Sequence, residues 1–333
     1  MPAARRGPSA SEVASPSDPL TTGFILVPGF SLMSYTAAVE PLRAANQLSG
    51  QLLYRWWHAG PGAGPVVASN GVAILPDRAI EGDLSAERVF VCAGGNPSDY
   101  ADRALFAALR RLASRGVAIG GISGGPYLLA QAGLLAGRRC TLHAEHVPAF
   151  RERFPDAIVT GSLFEAAGDR ITCAGGIAAL DLMLHLIGRE HGPALAAAVS
   201  EWFVHTQIRD GVAPQRMALA LRSGVSDARA LRVIAAMEAN LERPLPRAAL
   251  AAIAHVSVRQ LERLFRQGLG RGVQAHYRAL RLERARRLGR ESDLSAAEIA
   301  VATGFASARA LARARRAGVD REGRDSPPPC GPR

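Results

Sequence analysis

The sequence predicts an α/β domain with a parallel sheet and helices on both faces, followed by an all-α domain with two helix-turn-helix units. Between residues 23 and 180, short apolar strands alternate with amphipathic helices, a pattern typical of parallel strands joined by crossover helices. From about residue 193 onward only helical periodicity remains. The net charge of +11 also lies entirely in the last third of the chain. This segregation indicates a separate module that binds an anionic partner.

Composition divides the chain into five segments. The first is rich in Pro, Ala and Ser and lacks an apolar stretch, so we expect a disordered leader rather than a signal peptide. The predicted segments are the leader (1–20), the α/β domain (21–192), a helical linker (193–227), the basic helical domain (228–318) and a disordered tail (319–333).

The α/β domain is predicted to place ligands at one edge of its sheet. Glycine pairs follow several of the strands, and the carboxyl ends of parallel strands are where ligands bind in such sheets. The predicted strands are 24–27, 52–58, 89–93, 117–122 and 171–174. The predicted helices are 34–48, 98–114, 125–136 and 176–190.

Two classes of protein are disfavoured by the composition. Residues 116–137 carry no charge and are long enough to span a bilayer, but seven glycines and Pro126 interrupt them, so we predict no membrane segment. The four cysteines are scattered, with no C-x-x-C pair and no histidine at ligand spacing. We therefore expect no metal, no cofactor and no disulfide framework, as suits the cytoplasm.

The charge distribution favours nucleic acid as the partner of the helical domain. Lysine is absent, so all 40 basic residues are arginine. Residues 1–227 hold 19 Arg and 19 acidic residues, whereas residues 228–333 hold 21 Arg and 10 acidic residues. A solvated basic surface is the simpler interpretation, but such segregation is more typical of a DNA-binding module.

The first helix-turn-helix unit covers residues 247–270. Ser257 stands where the N-cap of its second helix is expected, and Arg259 and Gln260 follow in the first turn. Arg pairs with guanine and Gln with adenine in the major groove, so this helix is predicted to read base edges.

The second unit covers residues 294–316. Ser295 and Glu298 form a capping box at its start, Gly304 marks the turn, and an Arg-rich helix follows. A long helix over 273–289 joins the two units. A plain basic bundle is the alternative, but two units within the basic region favour DNA binding.

Residues 229–316 resemble the DNA-binding domain of the AraC/XylS family of bacterial transcription regulators. The segments SVRQLERLFRQGLG, RLERARRL and LSAAEIAVATGFAS carry the resemblance. It implies that both recognition helices enter successive segments of the major groove. Beyond Gly304-Phe305 the chain lacks the aromatic residues usual in that family. The candidate DNA-contacting residues are Ser257, Arg259, Gln260, Arg263, Ser307, Arg309 and Arg313.

The stretch Gly-Ile-Ser-Gly-Gly fits the G-x-S-x-G pattern of a nucleophile elbow with Ser123 at its tip. A serine nucleophile requires an adjacent base and a group that orients the base. His143 is the nearest candidate base, and a hydrolase triad could be completed only loosely, by Asp181 with His185 or His191. Catalysis is therefore the less favoured interpretation of the elbow.

Residues 23–222 resemble the ThiJ/PfpI group of the class I glutamine amidotransferase-like superfamily, in the branch fused to AraC-type tails. The matching segments include FILVPGFSLMSYTAAVEPLRAAN, VFVCAGGNP, GGISGGPYLLAQAGLLAGRRCTLHAEH and ITCAGGIAALDLMLHLI. The resemblance implies a flavodoxin-like sensor and dimerisation domain. It aligns Ser123 with the cysteine of enzymatic relatives, and Glu40 with a glutamate that approaches the elbow. The branch includes regulators of arginine, carnitine and glycine-betaine catabolism.

Without a nucleophile, the elbow predicts a ligand cradle. Backbone N–H groups at a helix N-terminus and in a glycine turn can hold a carboxylate, and Glu40 is expected to neutralise a cationic end. Ala144 stands where relatives often carry tryptophan, which favours an amino-acid-like ligand over betaine. The candidate ligand-binding residues are Glu40, Gly94, Gly95, Asn96, Ser123, Gly124 and His143.

The predicted function is therefore a cytoplasmic, homodimeric transcription regulator. It is expected to bind promoter DNA and a small amino-acid-like or quaternary ammonium effector, to contact RNA polymerase and to activate catabolic genes. Two alternatives remain: a serine hydrolase or amidase that uses Ser123, and a dimeric DNA-binding protein without a ligand.

Overall fold

The computed structural model describes residues 18–215, 220, 223–292 and 294–325. Most of the predicted leader, Cys330 and the end of the predicted tail lie outside the described residues. The first strand begins at Leu20 and the last helix ends at Asp325, so ordered elements extend across both predicted boundaries.

A seven-stranded sheet forms the centre of the α/β domain, in the order β10-β11-β7-β6-β1-β2-β5. Its pairs are parallel except β10 with β11 at one edge. Two short ladders, β3-β4 and β8-β9, flank the sheet. The strands are β1 (Leu20–Leu26), β2 (Tyr54–Gly60), β3 (Val66–Val67), β4 (Ala73–Ile74), β5 (Arg78–Ala79), β6 (Arg88–Ala93), β7 (Ala118–Ser123), β8 (Arg139–Cys140), β9 (Ile158–Val159), β10 (Phe164–Ala167) and β11 (Arg170–Cys173).

Helices cover both faces of this sheet. Phe24 and Leu26 of β1 pack against α1, α5 and α6, while Ile25 and Val27 pack on the opposite face with α2 and α3. A strand buried on both faces is apolar throughout, as these residues are. The helices are α1 (Leu32–Ser49), α2 (Arg103–Ser114), α3 (Gly125–Gln131), α4 (Val147–Arg153), α5 (Ala178–His191) and α6 (Pro193–Trp202).

The C-terminal domain is helical and has two small cores joined by one long helix. The first core contains Phe265 and Tyr277, and the second contains Leu288 and Leu311. Because α10 contributes to both cores, it sets the position of one helix-turn-helix unit relative to the other. The helices are α7 (Ala228–Ala239), α8 (Arg247–Ile253), α9 (Val258–Leu269), α10 (Val273–Glu291), α11 (Ala296–Ala302) and α12 (Ala308–Asp325).

The predicted fold class is confirmed: a flavodoxin-like parallel sheet between helices precedes two helix-turn-helix units. Within the described residues, none of the helices combines the length and apolar character that a membrane span requires. The carboxyl ends of the central strands meet at one edge, where Ala93 pairs with Ser123, and Cys173 pairs with Ile122. This edge contains the elbow.

Candidate functional site

The elbow at the end of β7 has the geometry that its sequence predicts. Ser123 has a φ of +62°, a left-handed conformation that residues with a Cβ rarely adopt. At Gly125, a Cβ would lie 2.0 Å from the Val91 carbonyl oxygen, so the helix can start this close to β6 only with glycine there. The segment therefore forms a sharp strand-to-helix turn with Ser123 at its tip.

The surroundings of Ser123 do not assemble a catalytic pair. Gly175, with a φ of +87°, packs directly over Ser123, and a Cβ there would lie 3.0 Å from the Ser123 Oγ. The His143 backbone N–H donates to the Ser123 carbonyl at 3.3 Å, and the His143 Nδ1 accepts from the Glu145 N–H at 3.4 Å. Among the described residues, no hydrogen bond joins the Ser123 hydroxyl to a base. The contact that activates a serine nucleophile is therefore not formed.

Asp181 has a structural role instead of orienting a catalytic histidine. It is fully buried and accepts hydrogen bonds from the Arg209 N–H at 2.8 Å and the Arg209 Nε at 3.0 Å. Its other close partner is the His205 Nε2, at 3.0 Å. The ring of His185 lies against Phe164, and that of His191 lies against Tyr54. The loosely defined triad of Asp181 with His185 or His191 is thus not formed.

The buried cysteines near the elbow do not replace the missing nucleophile. Burial raises the pKa of the Cys173 thiol to about 12 and that of the Cys92 thiol further still. Both side chains therefore stay protonated and unreactive near neutral pH. The Gly175 N–H donates to the Cys173 Sγ at 3.4 Å, which helps to hold the turn over Ser123.

The predicted anion cradle is a packed turn in this structure. The Gly124 N–H donates to the Ala93 carbonyl at 3.0 Å, so this donor is already used. A Cβ at Gly94 would lie 2.7 Å from the Gly29 carbonyl oxygen, which shows how closely this turn approaches the neighbouring backbone. Gly95 follows with a φ of +60°.

Asn96 faces the helical domain. Its Nδ2 donates to the Asp99 Oδ2 at 2.8 Å and also to the Arg290 carbonyl oxygen on α10. Asn96 therefore joins the two domains rather than lining a ligand cavity.

A cavity of about 530 Å³ opens beside the elbow. Its walls are the segment after β8, the turn between β11 and α5, the segment after α6, and α10 of the helical domain. Of the predicted ligand-binding residues, His143 lines it. The polar lining residues are His143, Glu145, Arg209, Gln215, Glu283 and Arg287.

Two of these polar residues, Arg209 and Gln215, are held in place by hydrogen bonds to neighbouring protein groups. Arg209 is fixed by its bonds to buried Asp181. Gln215 donates from its Nε2 to the Thr141 Oγ1 at 2.8 Å and to the Leu142 carbonyl at 2.9 Å. Preorganised side chains of this kind favour ligand binding because little side-chain freedom is lost. Arg209 offers a donor, whereas the Gln215 Nε2 is already used within the protein.

Glu40 lies away from this cavity. The helix α1 turns it outward, where it pairs with Arg43 at 2.7 Å and lines a second, shallower cavity of about 430 Å³ with Met33. The α1 residue that reaches the elbow region is Ser34, which is buried and accepts a hydrogen bond from the Gly176 N–H at 2.7 Å. Sequence reasoning missed Ser34.

The two recognition helices, α9 and α12, begin in the same way. Ser257 and Ser307 are their N-caps, and each Oγ accepts from the backbone N–H three residues later, at 3.2 Å in both helices. Each cap is followed by an exposed arginine two residues on, Arg259 and Arg309. Exposed guanidinium groups in the first turn can donate to base edges or phosphates.

Gln260 has a different local role. Its Oε1 accepts from the Ser257 N–H at 2.9 Å and closes a capping box. One turn further along each recognition helix, Arg263 and Arg313 are exposed. The exposed hydrogen-bond donors of both recognition helices are therefore arginines, whereas the Gln260 amide caps the N-terminus of α9.

The second unit has an ordered core despite its unusual end. Leu311 of α12 packs with Ile299 of α11. The Arg281 guanidinium lies 4.1 Å from the centre of the Phe305 ring, and its Nε donates to the Thr303 carbonyl at 2.7 Å. These contacts close the turn between α11 and α12.

Two family models match the chain. The helix-turn-helix domain model matches residues 250–319, and the DJ-1/PfpI family model matches residues 24–189. The first match includes α9 and the start of α12, and the second includes the whole elbow.

Several relatives are similar over most of the chain. The HTH-type transcriptional regulator GlxA of Rhizobium meliloti is 47% identical over 86% of this chain and 88% of its own length. The HTH-type transcriptional regulator CdhR of Pseudomonas aeruginosa is 47% identical over 88% of this chain and 87% of its own. The HTH-type transcriptional regulator GbdR of the same species is 41% identical over 87% of this chain and 79% of its own.

Solved structures agree on the fold of the N-terminal domain. An AraC family transcriptional regulator from Pseudomonas putida matches with a TM-score of 0.50 and 28% identity, over 56% of this chain and 100% of that chain. A THiJ/PfpI family protein from Pseudomonas syringae matches with a TM-score of 0.51 and 19% identity, over 74% of this chain and 98% of that chain. The second match supports the fold alone.

Proposed function

The chain belongs to the AraC/XylS-type transcription regulators that carry an N-terminal DJ-1/PfpI domain, and from this premise we propose that a small dipolar metabolite controls its activity. The chain regulates transcription by binding promoter DNA through its helix-turn-helix domain. The relatives that match most of the chain are named as HTH-type transcriptional regulators. The proposed effector carries a carboxylate and a cationic nitrogen, and the proposed effect is activation of catabolic genes.

The mixed charge of the cavity beside the elbow carries this proposal. The Arg209 guanidinium, held by Asp181, can pair with a carboxylate, and the half-exposed Glu145 carboxylate can pair with a cation. The cavity volume falls within the range of small-molecule sites. Gly94, Gly95, Asn96, Ser123 and Gly124 then support the fold around the site, with His143 at its edge, whereas Glu40 lies away from it.

The proposal includes a homodimer that acts in the cytoplasm and contacts RNA polymerase at the promoter. A dimer suits the paired half-sites that the AraC/XylS resemblance implies. Apolar side chains exposed around the second cavity, Met33, Ile177 and Val204, support a contact between subunits there.

A thermal-shift titration tests the effector. L-arginine, L-carnitine and glycine betaine each carry both charges, and putrescine lacks the carboxylate. We expect at least one of the first three to raise the melting temperature in a concentration-dependent way, and putrescine to have no effect. At 100 times Kd the stabilisation would be about 2.7 kcal/mol.

Matched variants locate the binding. Glu145→Gln removes a charge from the cavity and should weaken binding, whereas Glu201→Gln removes an exposed charge elsewhere in the domain and should not. Equal effects of the two substitutions would place the effector outside this cavity. No shift with any dipolar compound would contradict the proposed effector class.

A further inference from the structure

The helix α10 of the DNA-binding domain packs directly on the sensor domain. Ala149 of α4 is 1% exposed and belongs to the core of the second helix-turn-helix unit, beside Leu282. Arg284 lies 3.9 Å from Glu152, and Arg290 from α10 lies 3.9 Å from Glu145. Apolar, ionic and backbone contacts thus join α10 to the sensor domain.

The helix α10 also lines the cavity. Glu283 and Arg287 are one helical turn apart, so they project from the same side of the helix. The Arg287 Nε is buried and, in the part of the chain that the structure describes, has no hydrogen-bond partner. A buried guanidinium N–H without a partner is costly, and a carboxylate paired with the part of the Arg287 guanidinium that lines the cavity would offset this cost.

We propose that α10 forms a wall of the effector site and that Arg287 binds the effector carboxylate opposite Arg209. This inference rests on the proposed function, because it assigns the effector a place between the domains. A ligand held by both walls stabilises the docked arrangement, since it binds that arrangement more tightly than a separated one. Effector binding and the position of the DNA-binding domain are therefore coupled in both directions.

Glu283 and Glu145 set the class of ligand. Two guanidinium groups and two carboxylates line the cavity, so a polyanion would meet repulsion while a dipolar molecule finds a partner for each end. The Glu283 carboxylate also pairs with Arg286 at 3.2 Å, which keeps it at the rim.

Calorimetric titration of the full-length protein tests the role of Arg287. The probes are L-arginine, L-carnitine and glycine betaine, and the variants are Arg287→Gln, Arg287→Lys and the control Arg278→Gln. Arg278 is exposed on α10 and lies outside the cavity lining. We expect Kd to rise about tenfold or more in Arg287→Gln, as for loss of a charged hydrogen bond, less in Arg287→Lys, and not at all in Arg278→Gln.

The outcomes separate the two proposals. Absence of binding by the wild type would overturn the proposed effector class and this inference with it. Binding by the wild type that Arg287→Gln leaves unchanged would overturn the role of α10 alone. Melting temperatures without probe show whether each variant is folded. If Arg287→Gln is misfolded, the Kd of Arg287→Lys tests the role of Arg287 instead.

Amide hydrogen exchange gives a second readout without mutation. If the effector lies between the domains, a bound probe should slow exchange in peptides from α10 as well as from residues 174–178. Protection of residues 174–178 with unchanged exchange in α10 would place the ligand within the sensor domain only and would overturn the inference.

Discussion

At the scale of single residues, Ser123 shows how a catalytic motif can persist as structure. Its left-handed φ and its place under Gly175 come from the close packing of the glycines around it. The turn therefore shapes one edge of the sheet without requiring the hydroxyl.

Ser123→Ala should have a small effect on effector binding. The hydroxyl contributes at most one hydrogen bond, so the expected loss is about 0.5–1.5 kcal/mol, measured by titration of the probe that binds the wild type. A fluorophosphonate probe should leave the wild-type protein unlabelled. Stoichiometric labelling that Ser123→Ala abolishes would instead make Ser123 a nucleophile and support the hydrolase alternative.

His276 predicts a pH dependence of stability. It is 4% exposed, packs against Phe265, and neither ring nitrogen has a hydrogen-bond partner among the described residues. Burial, with a further contribution from Arg271, lowers the His276 pKa from 6.5 to about 4, and Glu238 partly offsets this. Because the unfolded state gains a proton at a higher pH than the folded state, stability is lost as pH falls from about 7 towards 4.

Thermal melts across this pH window measure the effect. The wild type should lose up to about 2 kcal/mol more stability between pH 7 and pH 4.5 than His276→Leu, which cannot gain the proton. Identical pH profiles for the two proteins would show that other groups cause the dependence.

At the scale of elements, local periodicity predicted the positions of the longer helices and strands. The predicted helix over 273–289 matches α10, and the predicted strand over 89–93 matches β6. The two-residue strands β3 and β8 were missed because two residues carry no period. The elbow was predictable for a different reason, since close contacts with β6 and with the start of α3 require glycine at positions 125 and 121.

Whether a helical residue reaches a site depends on the helix face on which it lies. The alignment of Glu40 with a glutamate of relatives did not show on which face of α1 it lies. Glu40 lies on the same helical face as Arg43 and Gln47, none of which is buried, and it pairs with Arg43. The helical period contained this information. In contrast, Arg287 and His143 line the same cavity only because the two domains pack together. No local sequence pattern connects residues so far apart in the chain.

The matched recognition helices predict matched contributions to DNA binding. Arg259→Ala and Arg309→Ala should each cost about 1–3 kcal/mol on the operator if they contact bases, with little loss on unrelated DNA. Arg259 and Arg309 occupy the same place after their caps. Electrophoretic mobility shifts at fixed salt would measure both variants.

Two results would change this assignment. Equal losses on operator and unrelated DNA would make the arginine a phosphate contact. A loss for Arg259→Ala alone would restrict base reading to the first unit.

At the scale of the whole molecule, the segregated charge predicted a separate DNA-binding domain but not the contact between the two domains. The basic domain and the neutral domain were separable in composition. However, Ala149 is a small apolar residue like many others in the chain, and its burial against Leu282 depends on how two folded domains meet. No local sequence pattern predicts such a contact.

Ala149→Arg should therefore separate the domains without unfolding them. An arginine at this position would overfill the core that Ala149 shares with Leu282 and would place a charge in that core, at a cost of about 1–3 kcal/mol. We expect a radius of gyration a few ångströms above that of the wild type in small-angle X-ray scattering, with an unchanged circular dichroism spectrum. Ala63→Arg adds the same side chain at an exposed position and should scatter like the wild type. A folded Ala149→Arg protein with wild-type scattering would mean that the contact at Ala149 does not hold the domains together.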